Sequence, residues 1–544
     1  MAADNHQSKP DKRLKDKMNE EIGKCNGNAE LSPSNTSSKL RHPFRQALPQ
    51  ILATTAKNIL LLGYGMTLGF PTIVIPNLAQ ASNSTTDPYN LTLTRDQISW
   101  FSSINLICVP LGCFLSGVLT QPFGRKPSMM VLNVPFIIAW LIYHYASSVN
   151  MLYAALVITG FSGGVLEAPV LTYVAEITTP QLRGMLSATA SMIVILGVFI
   201  QFIFGTFLPW RTIALVNVTF PILAIIALYG VPESPHWLMG KGRVEDAEKS
   251  LQWLRGWVKP HEVQVELSHL AKAIKSSNFE ESQRKRSWHA FKEKTFLRPY
   301  LLVSMTFLFG HFCGMTTLQT FAVSIFAEMG TPIDKYLATL ILGLVQLLGA
   351  LTCVVLVHWT GKRPLAMVSL VGNSICWLLV AMYASWFRTH PQPHPHPEHS
   401  AAFSWLPMAL IILSAFLTHM CVRLLPWILI GEVYTPEVRA TASGASGSAG
   451  YIFGFLANKS YFMIMDRIEA SGTFTMYTIF SIGGALFLYY FLPETEGRTL
   501  VEIQEHFAGN RCLISNKETN STGAQSKEDY AADNPAMDHV ESHL

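Results

Sequence analysis

The sequence predicts an all-α membrane protein of twelve transmembrane helices in two related six-helix halves. Three observations carry this expectation. The apolar residues come in blocks of about twenty, the length that crosses roughly 30 Å of hydrocarbon. A long polar segment after the sixth block divides the chain in two. Short motifs then recur at matching positions in each half. Composition agrees, since 49% of the 544 residues are hydrophobic and only 14% are charged. A formal net charge of +4 is too small to suggest nucleic acid. No nucleotide loop, nucleophile elbow or metal-ligand cluster appears, so neither an enzyme nor a cofactor is expected.

Apolar spans are predicted at 51–76, 99–120, 129–147, 151–175, 186–207 and 212–231, then at 299–326, 336–359, 364–386, 405–431, 441–465 and 473–492. This divides the chain into an N-terminal half at 50–231, a linker at 232–298 and a C-terminal half at 299–508. The tails, 1–49 and 509–544, are polar and poor in aromatic residues and are expected to be disordered. Within the linker, Val244, Ala247, Leu251, Leu254 and Val258 recur at spacings of three and four, which predicts short helices over 243–275. The polar start lacks a cleavable leader, so the first span is its own insertion signal.

Orientation follows from the basic residues. Arg125 and Lys126, Arg183, the linker, Lys362 and Arg363, Arg439 and Arg498 all fall on one side if every span crosses. Both termini are therefore expected in the cytoplasm of a multi-pass plasma-membrane protein. The first outer loop holds two glycosylation sequons, headed by Asn83 and Asn90. The histidine- and proline-rich run His390–Pro397 reads as an extended outer linker. Six of the eight cysteines lie inside apolar spans and behave as small hydrophobes.

The repeats identify the ends of the halves. Phe123-Gly124-Arg125-Lys126-Pro127 after span two returns as Thr360-Gly361-Lys362-Arg363-Pro364 after span eight. Glu176 through Arg183 after span four returns as Glu432 through Arg439 after span ten. Pro232-Glu233-Ser234-Pro235 corresponds to Pro493-Glu494-Thr495-Glu496-Gly497-Arg498. Two related halves are the architecture of an alternating-access carrier with its site at the midplane. The charges Arg125, Glu176, Arg183, Glu233, Arg363, Glu432, Arg439, Glu494 and Arg498 are the candidate latch at the inner mouth. Ion pairs there would close one end state and open in the other.

With these motifs on the page, the chain over about 50–508 resembles the sugar-transporter family of the major facilitator superfamily, and within it the insect facilitated trehalose transporter-like proteins. The strongest carriers are Pro232-Glu233-Ser234-Pro235-His236-Trp237-Leu238 and Pro493 through Leu500. The resemblance implies a small-molecule sugar substrate, a lipid bilayer around a monomer, and downhill transport. It also implies that Trp427 is an aromatic platform and Gln346 a sugar-facing amide. Departures are visible. Span seven reads Gly310-His311-Phe312-Cys313-Gly314-Met315-Thr316 where hexose binders carry two glutamines and an asparagine. Ser191 stands for a glutamine, and Gly450-Tyr451 for an Asn-Trp pair. His236 replaces an arginine and His358 a glutamate. Proton-coupled members carry an acid in span one where this chain has Pro71.

Ionisable residues inside the spans complete the candidate site. Glu167 in span four and Arg423 in span ten occupy equivalent places, each nine residues before its inner-mouth glutamate. A charge at the centre of a span costs about 2.5–3.5 kcal/mol on insertion scales, so both should face a cavity or one another. His419, Arg423 and Trp427 share one helix face, and His311 and Thr316 add polar groups in span seven. The leading expectation is a facilitative carrier of trehalose or a related sugar. The rivals are a carrier of an anionic or zwitterionic solute held by Arg423, a proton-coupled carrier using Glu167, and a non-transporting sensor.

Overall fold

A computed structural model describes residues 43–79, 91–283, 294–389, 397–434, 439–498 and 500–509. The sequon asparagines Asn83 and Asn90 and residues 390–396 of the outer linker lie outside the described residues. Eleven helical stretches are long and apolar enough to cross a membrane. The last of them, Arg439–Phe491, has 53 residues and breaks at Glu469, where φ reaches 61°. At 1.5 Å per residue it would be about 80 Å long, so it supplies two spans. Twelve crossings result, with no strand among the described residues.

Local chemistry marks the helix starts. Thr94 and Gln97 form a capping box at Arg95–Phe101, the first segment of span two. Asp334 accepts the backbone N–H groups of Tyr336 and Leu337 to begin Lys335–Thr360, span eight. Span one, Pro43–Leu78, starts seven residues inside the expected tail, because its first turns are held by Gln50, which donates to the Gln46 carbonyl and accepts from the Thr179 backbone. The linker helix expected over 243–275 is two helices, Val244–Leu254 and Pro260–Gln283. The chain passes through positive φ at Gly256 and Trp257 and then meets Pro260, which ends the first and begins the second.

Two kinds of contact build the halves. Span two (continuing over Ile104–Thr120) and span four (Val149–Ile177) approach until backbones touch. A Cβ on Gly164 would stand 2.1 Å from the Val109 carbonyl, and one on Gly112 2.2 Å from that of Phe161. Small residues at such crossings replace the hydrophobic drive that lipid removes. Apolar packing does the rest, in three large cores. One, around Tyr64, Met129, Phe136 and Tyr173, belongs to the N-terminal half at the end bearing the linker helices. A second, around Phe307, Leu425, Tyr434 and Leu488, belongs to the C-terminal half at that same end. The third joins both halves at the opposite, far end, from Phe70 and Phe101 to Phe321 and Tyr461. The halves therefore share one core at the far end and have a core each toward the linker end.

Candidate functional site

Between the halves lies a cavity of ≈ 270 Å³, lined by residues of both. All eight residues singled out for substrate contact, Glu167, Ser191, His311, Thr316, Gln346, His419, Arg423 and Trp427, line it. Pro71 lines it too, at the point where proton-coupled relatives are expected to hold an acid.

Broken helices place the central groups. Span ten stops at Met420 and restarts at Leu425. Pro426 has no N–H to give the preceding turn, and the Arg423 N–H bonds back five residues to the Thr418 carbonyl. Arg423 thus sits in a widened turn rather than in regular helix. Span seven breaks likewise at Gly314, between Lys294–Phe312 and Met315–Glu328, and Asn373 covers the freed Cys313 carbonyl at 3.2 Å. The two breaks meet. Arg423 Nη1 lies 3.2 Å from His311 Nδ1 and 3.4 Å from Thr316 Oγ1, while His311 Nδ1 and Thr316 Oγ1 are 2.8 Å apart. His419 turns its Nδ1 to the Ala415 carbonyl at 3.0 Å.

Of the two alternatives for Glu167 and Arg423, facing a cavity or one another, the structure has the first: both line the cavity and no ion pair joins them. Glu167 instead accepts the Cys113 thiol at 2.9 Å and lies beside Gly447 of span eleven. Equivalent positions in the two halves bring the two charges to one cavity without joining them in an ion pair. Trp427 stands edge-on to Phe307, with ring centres 5.1 Å apart, and leaves part of its ring to the cavity.

Three cavity-lining amides keep an unpaired polar atom: Gln346 Nε2, Asn105 Oδ1 and Asn458 Oδ1. All three side chains are buried. Asn105 and Asn458 were not expected from the sequence, nor were Tyr64 and Gln319, which also line the cavity; Tyr451, at the place of the family's Asn-Trp pair, lines it too. The one available signal for Asn458 was a polar residue within an apolar span.

The latch candidates form two matched clusters at the linker end, each inside its own half. In the N-terminal half Arg125 pairs with Glu176 at 3.0 Å, and Glu176 also accepts the Ser234 hydroxyl. Glu233 accepts the Lys126 and Ser234 N–H groups and so caps span three, Arg125–Tyr145. Burial pushes the Glu233 carboxyl above its usual range, with those N–H groups opposing. In the C-terminal half the base paired with Glu432 is Lys362, at 2.7 Å, and not Arg363. Lys362 also meets Glu496 at 2.9 Å, and Glu494 accepts the Lys362 and Arg363 N–H groups that open span nine, Lys362–Thr389. Burial alone would raise the Glu496 carboxyl, but Lys362 and His358 hold it below its usual range. Arg363 turns outward to the Tyr489 carbonyl and ring. Arg498 lies 3.8 Å from Glu502. Arg183 is exposed and makes no ion pair among the described residues, and the Arg439 side chain lies outside them.

At the far end the halves are tied together. Thr72 of span one donates to the Gln319 carbonyl at 2.7 Å, Ser99 to the Lys459 carbonyl at 2.9 Å, and Asn458 to the Ser102 carbonyl at 3.0 Å. Arg95 pairs with Asp466, and Lys459 with Asp96 at 3.3 Å. Toward the linker end Leu171, a cavity-lining residue, is 51% exposed. The cavity is closed at the far end and open at the linker end.

Comparison with known proteins agrees with this architecture. The profile of the sugar (and other) transporter family matches residues 56–507. The facilitated trehalose transporter Tret1 of Bombyx mori is 27% identical over 461 residues, 84% of this chain and 86% of that one. That of Polypedilum vanderplanki is 28% identical over 468 residues, 85% and 88% of the two chains. Among solved structures, the xylose transporter XylE from E. coli in a partially occluded inward open conformation aligns with a TM-score of 0.64 at 19% identity, over 84% of this chain and 99% of that one. The major facilitator superfamily proton:xylose symporter XylE bound to 6-bromo-6-deoxy-D-glucose gives 0.64 at 20%, over 85% and 100%. The twelve-helix fold is that of the major facilitator superfamily, and the chain belongs to the sugar (and other) transporter family.

Proposed function

We propose that this protein is a facilitative carrier of trehalose or a related sugar, working by alternating access in the plasma membrane. The observation that carries the reading is the set of three buried cavity amides with unpaired atoms, one donor and two acceptors. A buried polar atom without a partner costs about 1–3 kcal/mol, and the hydroxyls of a sugar are the chemistry that removes the cost. Trp427 supplies a flat apolar face for the ring. The relatives named as trehalose transporters support the substrate class.

In this reading the two units, 50–231 and 299–508, rock about the cavity, and the linker end is cytoplasmic. Both termini then face the cytoplasm and the sequons face out. Glu176, Glu432 and the bases beside them, with Arg183 and Arg439, exchange partners when the linker end shuts. Pro71 in span one supports transport without a coupled proton.

The test is uptake of labelled trehalose by oocytes expressing the full chain. Expected is saturable uptake that stops at the outside concentration and is indifferent to a protonophore. Accumulation above that level, abolished by the protonophore, would replace uniport by proton coupling. Absence of trehalose uptake beside verified surface protein would remove the proposed substrate. A glycosidase-sensitive mobility shift lost in Asn83→Gln/Asn90→Gln checks the orientation.

A further inference from the structure

The wall of the cavity formed by the C-terminal half holds a permanent cation with no counter-charge. Arg423 contacts His311 Nδ1 and Thr316 Oγ1, both through Nη1, and among the described residues no carboxylate lies within ion-pair distance of it. A guanidinium presents five N–H donors in a planar fork and keeps its charge in proteins. Most of that fork is therefore uncommitted and borders the cavity.

The cavity's acid does not cancel it. Glu167 is engaged by Cys113 and lies next to Gly447, and it makes no ion pair with Arg423. A carboxyl group can also shed its charge by binding a proton, which a guanidinium does not do. The cavity is built to receive negative charge on one side.

A neutral sugar satisfies the amides and leaves the fork to water. A ligand that satisfies both carries a carboxylate as well as hydroxyls. The planar carboxylate matches the guanidinium fork with two parallel hydrogen bonds, a pairing roughly twice as strong as neutral ones. Its hydroxyls can then donate to Asn105 Oδ1 and Asn458 Oδ1 and accept from Gln346 Nε2, with the ring against Trp427. We propose that the cavity takes a sugar acid, a hexose-sized ring or polyol bearing one carboxylate, with the carboxylate on Arg423. This inference rests on the reading of the chain as a sugar carrier and narrows its substrate class.

The test uses a matched pair, D-glucose and D-glucuronate, which differ at one carbon, with trehalose as the neutral disaccharide. Uptake of each is measured in oocytes expressing the full chain, in wild type and in Arg423→Gln, with surface protein counted by biotinylation. Expected in wild type is glucuronate uptake exceeding glucose uptake by about tenfold or more. In Arg423→Gln the preference for glucuronate over glucose should collapse to within about twofold. Uptake of the neutral sugars alone by wild type, with no inhibition by glucuronate, overturns the inference and leaves the carrier reading standing. Uptake of none of the three by surface-expressed wild type removes both. Glucuronate transport that survives Arg423→Gln places the carboxylate elsewhere and overturns the inference. Should Arg423→Gln fail to reach the surface, the matched pair in wild type decides.

Discussion

At the scale of single residues, the cavity is lined by three buried amides that each keep an unpaired atom. Gln346 is 1% exposed, yet its Nε2 has no acceptor. The empty protein bears the desolvation cost of that donor. The same reasoning makes its removal informative. Gln346→Leu keeps the volume and deletes the unsatisfied donor, so surface level and thermal stability should hold or rise. Sugar uptake at low concentration should fall about tenfold, the equivalent of about 1.4 kcal/mol. The reverse pattern, lost protein with unchanged uptake per molecule, would make Gln346 a structural residue. Charge placed Glu167 and Arg423 in the cavity from sequence alone, because a charge inside a span has few other places to go. Asn105 and Asn458 carry no charge, and a neutral amide in an apolar span gives no sign of the face it occupies. Only packing reveals it.

At the scale of elements, the internal repeat is a repeat of helix starts. Glu233 and Glu494, each at the end of its half, accept the first N–H groups of that half's third helix, spans three and nine. A Cβ on Gly124 or Gly361 would reach within 2.4 or 2.6 Å of those carboxylates, and both glycines have positive φ. The motif was therefore legible as a repeat, while its register was not. Two adjacent bases, Lys362 and Arg363, look equivalent in sequence. The capped helix start decides between them, sending the first inward to Glu432 and Glu496 and the second outward to Tyr489. Removing Lys362 leaves two carboxylates facing one another, and breaking such a buried pair typically costs about 3–5 kcal/mol. Lys362→Met should therefore sharply reduce folded protein at the surface. Arg363→Met should reduce it by less than about twofold, since exposed charges contribute about 0–1 kcal/mol. Equal losses in the two variants would contradict the assignment. Most span boundaries held to a few residues, the starts of spans one and ten lying eight residues early: hydrophobic length is a property of composition, whereas the breaks at Arg423 and Gly314 depend on how two helices meet.

At the scale of the molecule, the question is what keeps the far end shut while the linker end stands open. Two kinds of bond cross between the halves there, and they differ in burial. Arg95 and Asp466 are 68% and 54% exposed, so water screens their attraction and the pair contributes about 0–1 kcal/mol. Thr72 is 1% exposed and donates to the Gln319 carbonyl. That carbonyl is available because span seven loses helical geometry at Phe321, where φ is −110° and ψ 18°. Deleting the hydroxyl leaves a buried acceptor short of a donor, at about 1–3 kcal/mol, and only in the state where the far end is closed. Population shifts by the same amount that one state loses relative to the other. Thr72→Val, which nearly conserves volume, should therefore raise far-end opening roughly fivefold to a hundredfold, and Arg95→Ala by less than about fivefold. The reporter is a cysteine at Leu106, which lines the cavity. Its labelling by an impermeant maleimide applied from the far-end side measures the open fraction in each variant. Faster labelling in Arg95→Ala than in Thr72→Val would mean that exposed charge, and not buried hydrogen bonding, holds the halves together.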